Sequence, residues 1–137
     1  MKIQRTTTKA IFIKDKKIFM VEDLVGNWEL PGGKVEFGES PKEALAREVA
    51  EEIGGKDIKI GKLLDAWSFV SADPRMDGED QYHFVVLMYV CEADLSEIKL
   101  SNEHQKYAWV SFDKLEKLQM KNGYREIFIK YRDLLES

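Results

Sequence analysis

Gly33-Lys34-Val35-Glu36-Phe37-Gly38-Glu39-Ser40-Pro41-Lys42-Glu43-Ala44-Leu45-Ala46-Arg47-Glu48-Val49-Ala50-Glu51-Glu52-Ile53-Gly54 is the most informative stretch of this chain. Its second half predicts a helix over 40–53. Ser40 stands at the N-cap, Pro41 at the first helical position and Glu43 at the third, a capping box with the favoured N-terminal proline. Leu45, Val49 and Ile53 recur every fourth residue and make one apolar stripe, and Gly54-Gly55 suits a left-handed helix end. Glu48, Glu51 and Glu52 stand at i, i+3 and i+4 and so share a face. Like charges at those spacings repel by roughly a few tenths of a kcal/mol per pair. Clustered carboxylate oxygens are what a hard divalent cation such as Mg²⁺ requires. Taken alone, an ordinary solvated acidic face explains this helix equally well.

The flanking residues break that tie. Gly32-Gly33 lead into a loop over 34–39 that ends at the helix, and paired glycines let a backbone approach a ligand closely. Pro31 beside them argues against a regular element there. Arg47 can reach Glu43 and Glu51 along the helix or fold toward Glu39. An arginine inside an acidic cluster fixes carboxylate orientation, as supporting groups do around metals.

The pattern Gly33-x5-Glu39-x7-Arg47-Glu48-Val49-x-Glu51-Glu52-x-Gly54 resembles the box of the Nudix hydrolases (MutT-like), and Trp28-Glu29-Leu30-Pro31-Gly32-Gly33-Lys34 resembles its usual lead-in. Seven such matches arise by chance on the order of once in 10⁸ starting positions. One position departs: the family pattern closes on an apolar residue, where this chain has Gly55, and Ile58 is a candidate to replace it in packing. The resemblance implies an α+β fold, a mixed β-sheet sandwiched between α-helices. It implies Mg²⁺, with Mn²⁺ as an alternative, held by Glu48, Glu51 and Glu52 with the backbone carbonyl of Gly32 as a further ligand. Arg47 would orient the carboxylates, and Glu39 would support them structurally or through water. Many members add a distant carboxylate. Glu103 is the candidate here, with Glu79 and Asp80 as competitors, and a surface glutamate is an equally good reading of it.

The implied reaction is hydrolysis of a phosphoanhydride bond in a nucleotide. Divalent cations screen the phosphate charge, and a carboxylate takes the proton from water. Glu51, Glu52 and Glu103 remain alternatives for that base. Lys34 is a candidate for a substrate phosphate, balanced against a solvated loop lysine. Trp28, Trp67, Phe69 and Tyr82 are candidates to meet a base, although strand aromatics are more often core. Trp67 and Phe69, near the polar loop over 71–80, are favoured. Trp109 is assigned to the core, and His104 is left outside the site as a surface or hydrogen-bonded histidine. A nucleoside triphosphate is the leading substrate. ADP-ribose or a nucleotide sugar is the alternative, weakly disfavoured because Ser71 stands where such members often carry proline and Pro74 follows three residues later. A non-catalytic nucleotide-binding domain is a third reading, disfavoured by the intact carboxylates.

The rest of the chain fits one domain over 1–137. Apolar residues form 44% and charged residues 34% of the sequence, a balance suited to a folded core. A net charge of -4 gives no basic footprint for nucleic acid. The single cysteine, Cys91, lies in an apolar run and excludes an internal disulfide. No membrane span or signal peptide is legible, so a cytoplasmic location is expected by elimination. Strands are expected over 6–13, 17–22, 28–30, 58–70 (as one or two), 82–91 (central) and 107–110. Helices are expected over 112–118 and 124–135. The second would carry Ile127, Phe128, Tyr131, Leu134 and Leu135 on one side, to pack on the core or to form a homodimer.

Overall fold

Neighbouring residues on the inner strands turn to opposite sides, and both sides are apolar, which is the pattern of a sheet covered on two faces. The computed structural model describes residues 1–71, 81–120 and 123–137. Strands β1 (Lys2–Ile11), β2 (Ile13–Lys14), β3 (Lys17–Asp23), β4 (Trp28–Glu29) and β5 (Gly32–Lys34) precede helix α1 (Pro41–Ile53). Strands β6 (Lys56–Ser71), β7 (Gln81–Asp94) and β8 (His104–Ser111) follow, then helices α2 (Phe112–Leu115) and α3 (Tyr124–Glu136).

One sheet runs β5-β1-β7-β6, with β1 and β7 parallel and the other pairs antiparallel. The second is antiparallel, with β3 pairing to β2, β4 and β8. Ala10, Phe12, Phe19, Val21, Tyr89 and Cys91 cluster with Leu45, Val49 and Ile53 of α1. Ile11, Ile18, Met20, Met88 and Val110 cluster on the other side with residues of α2 and α3. The expected mixed-sheet sandwich is therefore present, with a second, antiparallel sheet beside the mixed one. Among the described residues, no helix is long and apolar enough to cross a membrane.

Several boundaries differ from the expectation. Gly32 and Gly33 form strand β5, opposite Lys9 and Thr8 of β1. Gly32 has φ +144°, and a Cβ there would fall 1.9 Å from the Thr8 carbonyl oxygen, so glycine makes the pairing possible. The residues 58–70 belong to one long strand whose register shifts three times against β7. The final strand starts earlier, at His104, and α2 is only one turn long. On α3, Ile127, Phe128 and Leu135 are buried, but Leu134 points to solvent.

Candidate active site

Helix α1 begins and ends as its caps require. Ser40 Oγ accepts the Glu43 N–H at 3.2 Å, and Gly54 takes φ 70° at the C-terminus. With Leu45, Val49 and Ile53 buried, the helix cannot rotate without exposing that stripe. Its polar residues are thereby aimed at β5 and at the loop over 34–39.

Arg47 gathers that region. Its Nε and Nη2 donate to the two carboxylate oxygens of Glu39, at 2.7 and 2.9 Å. Its Nη1 donates to Glu48 at 3.0 Å and to Glu51 at 3.2 Å, and Nη2 also reaches the Lys34 carbonyl at 3.1 Å. Of the two directions open to Arg47, both Glu39 and Glu51 are used, while the Glu43 backbone serves the Ser40 cap. The bonds to Arg47, with one from the Glu36 N–H, hold the Glu39 carboxyl down at about 2. The same bond to Glu39, with Glu48 adding, raises the guanidinium further above its already high range.

The three helix carboxylates do not share one environment. The Glu51 side chain is 62% exposed, Glu48 is 17% exposed, and Glu52 is 4% exposed. A Cβ on Gly33 would fall 2.4 Å from the Glu48 carboxyl carbon, so this glycine leaves the recess that Glu48 occupies. Glu52 turns inward, and its Oε2 accepts the Gly32 N–H at 2.8 Å. Gly32 thus touches Glu52 through its amide. Burial pushes the Glu52 carboxyl up to about 7, against the pull of Lys9, His104 and the Gly32 amide. Clustered carboxylate oxygens fit a hard divalent cation; the candidate holders are Glu48, set in the Gly33 recess, Glu51 and Glu52.

His104, set aside on sequence, belongs to this region. It is buried, with Nε2 3.3 Å from Glu29 Oε1 and Nδ1 3.2 Å from Glu52 Oε1. Lys9 Nζ donates to Glu29 Oε1 at 3.4 Å and to the Leu30 carbonyl at 3.2 Å. Burial pulls the Lys9 ammonium down, but Glu29, Tyr124 and Glu52 outweigh it and leave Lys9 above the usual lysine range. Lys9, Glu29 and His104 each read as routine in sequence because β1, β4 and β8 bring them together from afar. Glu103, one residue before His104, is exposed, its N–H on Ser101 Oγ. Glu79 and Asp80 lie outside the described residues.

Among the proposed substrate residues, Lys34 is exposed beside Arg47. Trp28 and Trp67 pack against the α3-side core, Trp67 edge-on to Tyr124 at 5.7 Å. Phe69 meets Phe84 at 5.4 Å, and Tyr82 stacks on Phe84 at 6.1 Å, forming an aromatic row on the mixed sheet. Trp109 packs edge-on to Phe19, in keeping with a core role.

Comparison with known proteins bears on the fold and the family. The nucleoside triphosphatase NudI of Escherichia fergusonii is 39% identical over 90 residues, which cover 62% of each chain. The match therefore spans less than two thirds of that relative. The structure of a MutT protein from Methanosarcina mazei superposes with a TM-score of 0.81 at 25% identity, covering 99% of this chain and 98% of that one. An ADP-ribose pyrophosphatase from Streptococcus suis shares the fold with a TM-score of 0.66 at 20% identity, covering 97% and 92%. The NUDIX domain matches residues 4–131, and with the box and fold described above, this chain belongs to the NUDIX family.

Proposed function

We propose that this protein is a Mg²⁺-dependent hydrolase of a phosphoanhydride bond in a nucleotide, with a nucleoside triphosphate as the leading substrate class. The observation that carries the reading is the Arg47-centred cluster, in which Glu39, Glu48 and Glu51 are tied to one guanidinium beside the Gly33 recess. Glu48, Glu51 and Glu52 would hold the cation, which when bound screens the phosphate charge and makes water a better nucleophile.

The chain's own groups divide the remaining work. Arg47 keeps Glu48 and Glu51 from relaxing away from each other. The Gly32 amide fixes one oxygen of Glu52. Exposed Glu51, with its second oxygen not engaged by Arg47, would accept a proton from water, with Glu52 and Glu103 as the other candidates. Lys34 would meet a phosphate, and Phe69 in its aromatic row, with Trp67 and Trp28, would meet the organic part. The match to NudI, named as a nucleoside triphosphatase, favours triphosphates over ADP-ribose.

The test is a panel of nucleoside triphosphates, ADP-ribose and nucleotide sugars with Mg²⁺, scored for pyrophosphate and monophosphate release. Turnover of a triphosphate is expected, with loss of activity by orders of magnitude in Glu52→Gln and on chelation. Nucleotide binding without turnover under any divalent ion would instead support a non-catalytic domain.

A further inference from the structure

We propose that His104 is a positioning residue that fixes the Glu52 carboxylate through a buried chain, Lys9–Glu29–His104–Glu52. The proposal rests on the reading of Glu52 as a cation-holding carboxylate given above.

The chain joins four elements distant in sequence: β1, β4, β8 and α1. Lys9 Nζ is 3.4 Å from Glu29 Oε1, which is 3.3 Å from His104 Nε2. His104 Nδ1 is 3.2 Å from Glu52 Oε1, a contact that is electrostatic rather than an aligned hydrogen bond. The other Glu52 oxygen takes the Gly32 N–H. Both carboxylate oxygens of Glu52 are thus addressed from different directions. That restricts a terminal torsion that is otherwise broad. The imidazole is itself held, because each ring nitrogen faces a carboxylate and the side chain is 2% exposed. Burying charged and polar groups is unfavourable unless they are paired, so packing alone would be served better by apolar residues.

A competing arrangement uses the same atoms as ligands, since donors of Glu29, Glu52 and His104 lie within 4.8 Å of one another. The Lys9 ammonium argues against it, because it already supplies the positive charge next to Glu29.

The experiment measures Mn²⁺ binding to the substrate-free full chain by the electron paramagnetic resonance signal of the free ion, alongside thermal melts. His104→Ala is expected to weaken Mn²⁺ binding about 10–100-fold, the range for losing a group that orients a metal ligand. His104→Asn places an amide nitrogen near the position of Nδ1 and should recover much of the affinity. His104→Gln places it near Nε2, toward Glu29, and should recover little. A purely structural role would make affinity follow the melting temperature and not the side of the ring that is replaced. Parental affinity in His104→Ala, or equal affinities for the Asn and Gln variants, would overturn the proposal. So would a Zn²⁺-induced shift of the His104 ring ¹⁵N resonances in the parent, which would make the imidazole a ligand. If His104→Ala does not fold, the Asn and Gln pair decides. A parent that binds no Mn²⁺ would overturn both this proposal and the reading of Glu52. A parent that binds Mn²⁺ and hydrolyses nucleotide while His104→Ala binds equally well would overturn this proposal alone.

Discussion

Arg47 donates to Glu39, Glu48, Glu51 and the Lys34 carbonyl at once, which only a planar guanidinium can do. Lysine would keep the charge and the helix propensity but not the fork. Arg47→Lys is therefore expected to lower turnover sharply and to move the Mg²⁺ requirement upward, with thermal melts confirming that the variant remains folded at the assay temperature. Overlapping Mg²⁺ titrations for the two proteins would remove Arg47 from the site. The partner Glu39 gives a pH signature. Its carboxyl lies at about 2 in the folded chain, below the ordinary 4.5. A group with a depressed folded value stabilises the fold above its unfolded value and loses that contribution as pH falls toward the folded one. The melting-temperature gap between the parent and Glu39→Gln should thus be constant above pH 5 and shrink between about pH 4.5 and 2. A gap that holds unchanged down to pH 2 would mean that the Arg47 pairing does not lower the Glu39 carboxyl.

Helix α1 shows how an element can depart from a family pattern for a packing reason. The pattern asks for an apolar residue after Gly54, and this chain has buried Gly55. A Cβ there would fall 2.8 Å from Val49 Cγ1 and 3.4 Å from Leu95 Cδ2. Val49 and Leu95 already fill that volume, and Ile58 packs on the same cluster. Restoring an apolar side chain should overpack the helix end. Gly55→Val is expected to destabilise the fold by about 1–3 kcal/mol, read from urea denaturation. A variant as stable as the parent would mean that Leu95 moves aside without penalty. The strand β5 makes the same point: Gly32 pairs with β1 because a side chain would strike the Thr8 carbonyl.

At the scale of the whole molecule, Lys9 ties the mixed sheet to the segment that carries Glu29 and Leu30. Removing one partner of a buried ion pair leaves the other charge poorly compensated, so Lys9→Met should destabilise the protein by about 3–5 kcal/mol. Adding Glu29→Gln should return part of that loss, because the two changes are coupled. Additive effects in the double variant would show that the pair contributes no specific interaction. The sequence by itself determined the helix, its caps, its apolar stripe and the spacing of Arg47 with its carboxylates, since all of these are local and obey the 3.6-residue period. It also carried the mixed α+β character through the alternation of strand residues. It did not distinguish Glu52 from Glu48 and Glu51, because burial depends on where β5 and β8 arrive. Nor did it reveal Lys9, Glu29 and His104, whose proximity spans up to 95 positions of chain and is set by strand register. Only the tertiary structure decided that one glutamate of the box faces solvent, one fills a glycine recess and one lies buried against an imidazole. Helical spacing fixes which face a side chain leaves from, and the packing of distant strands fixes what it meets there.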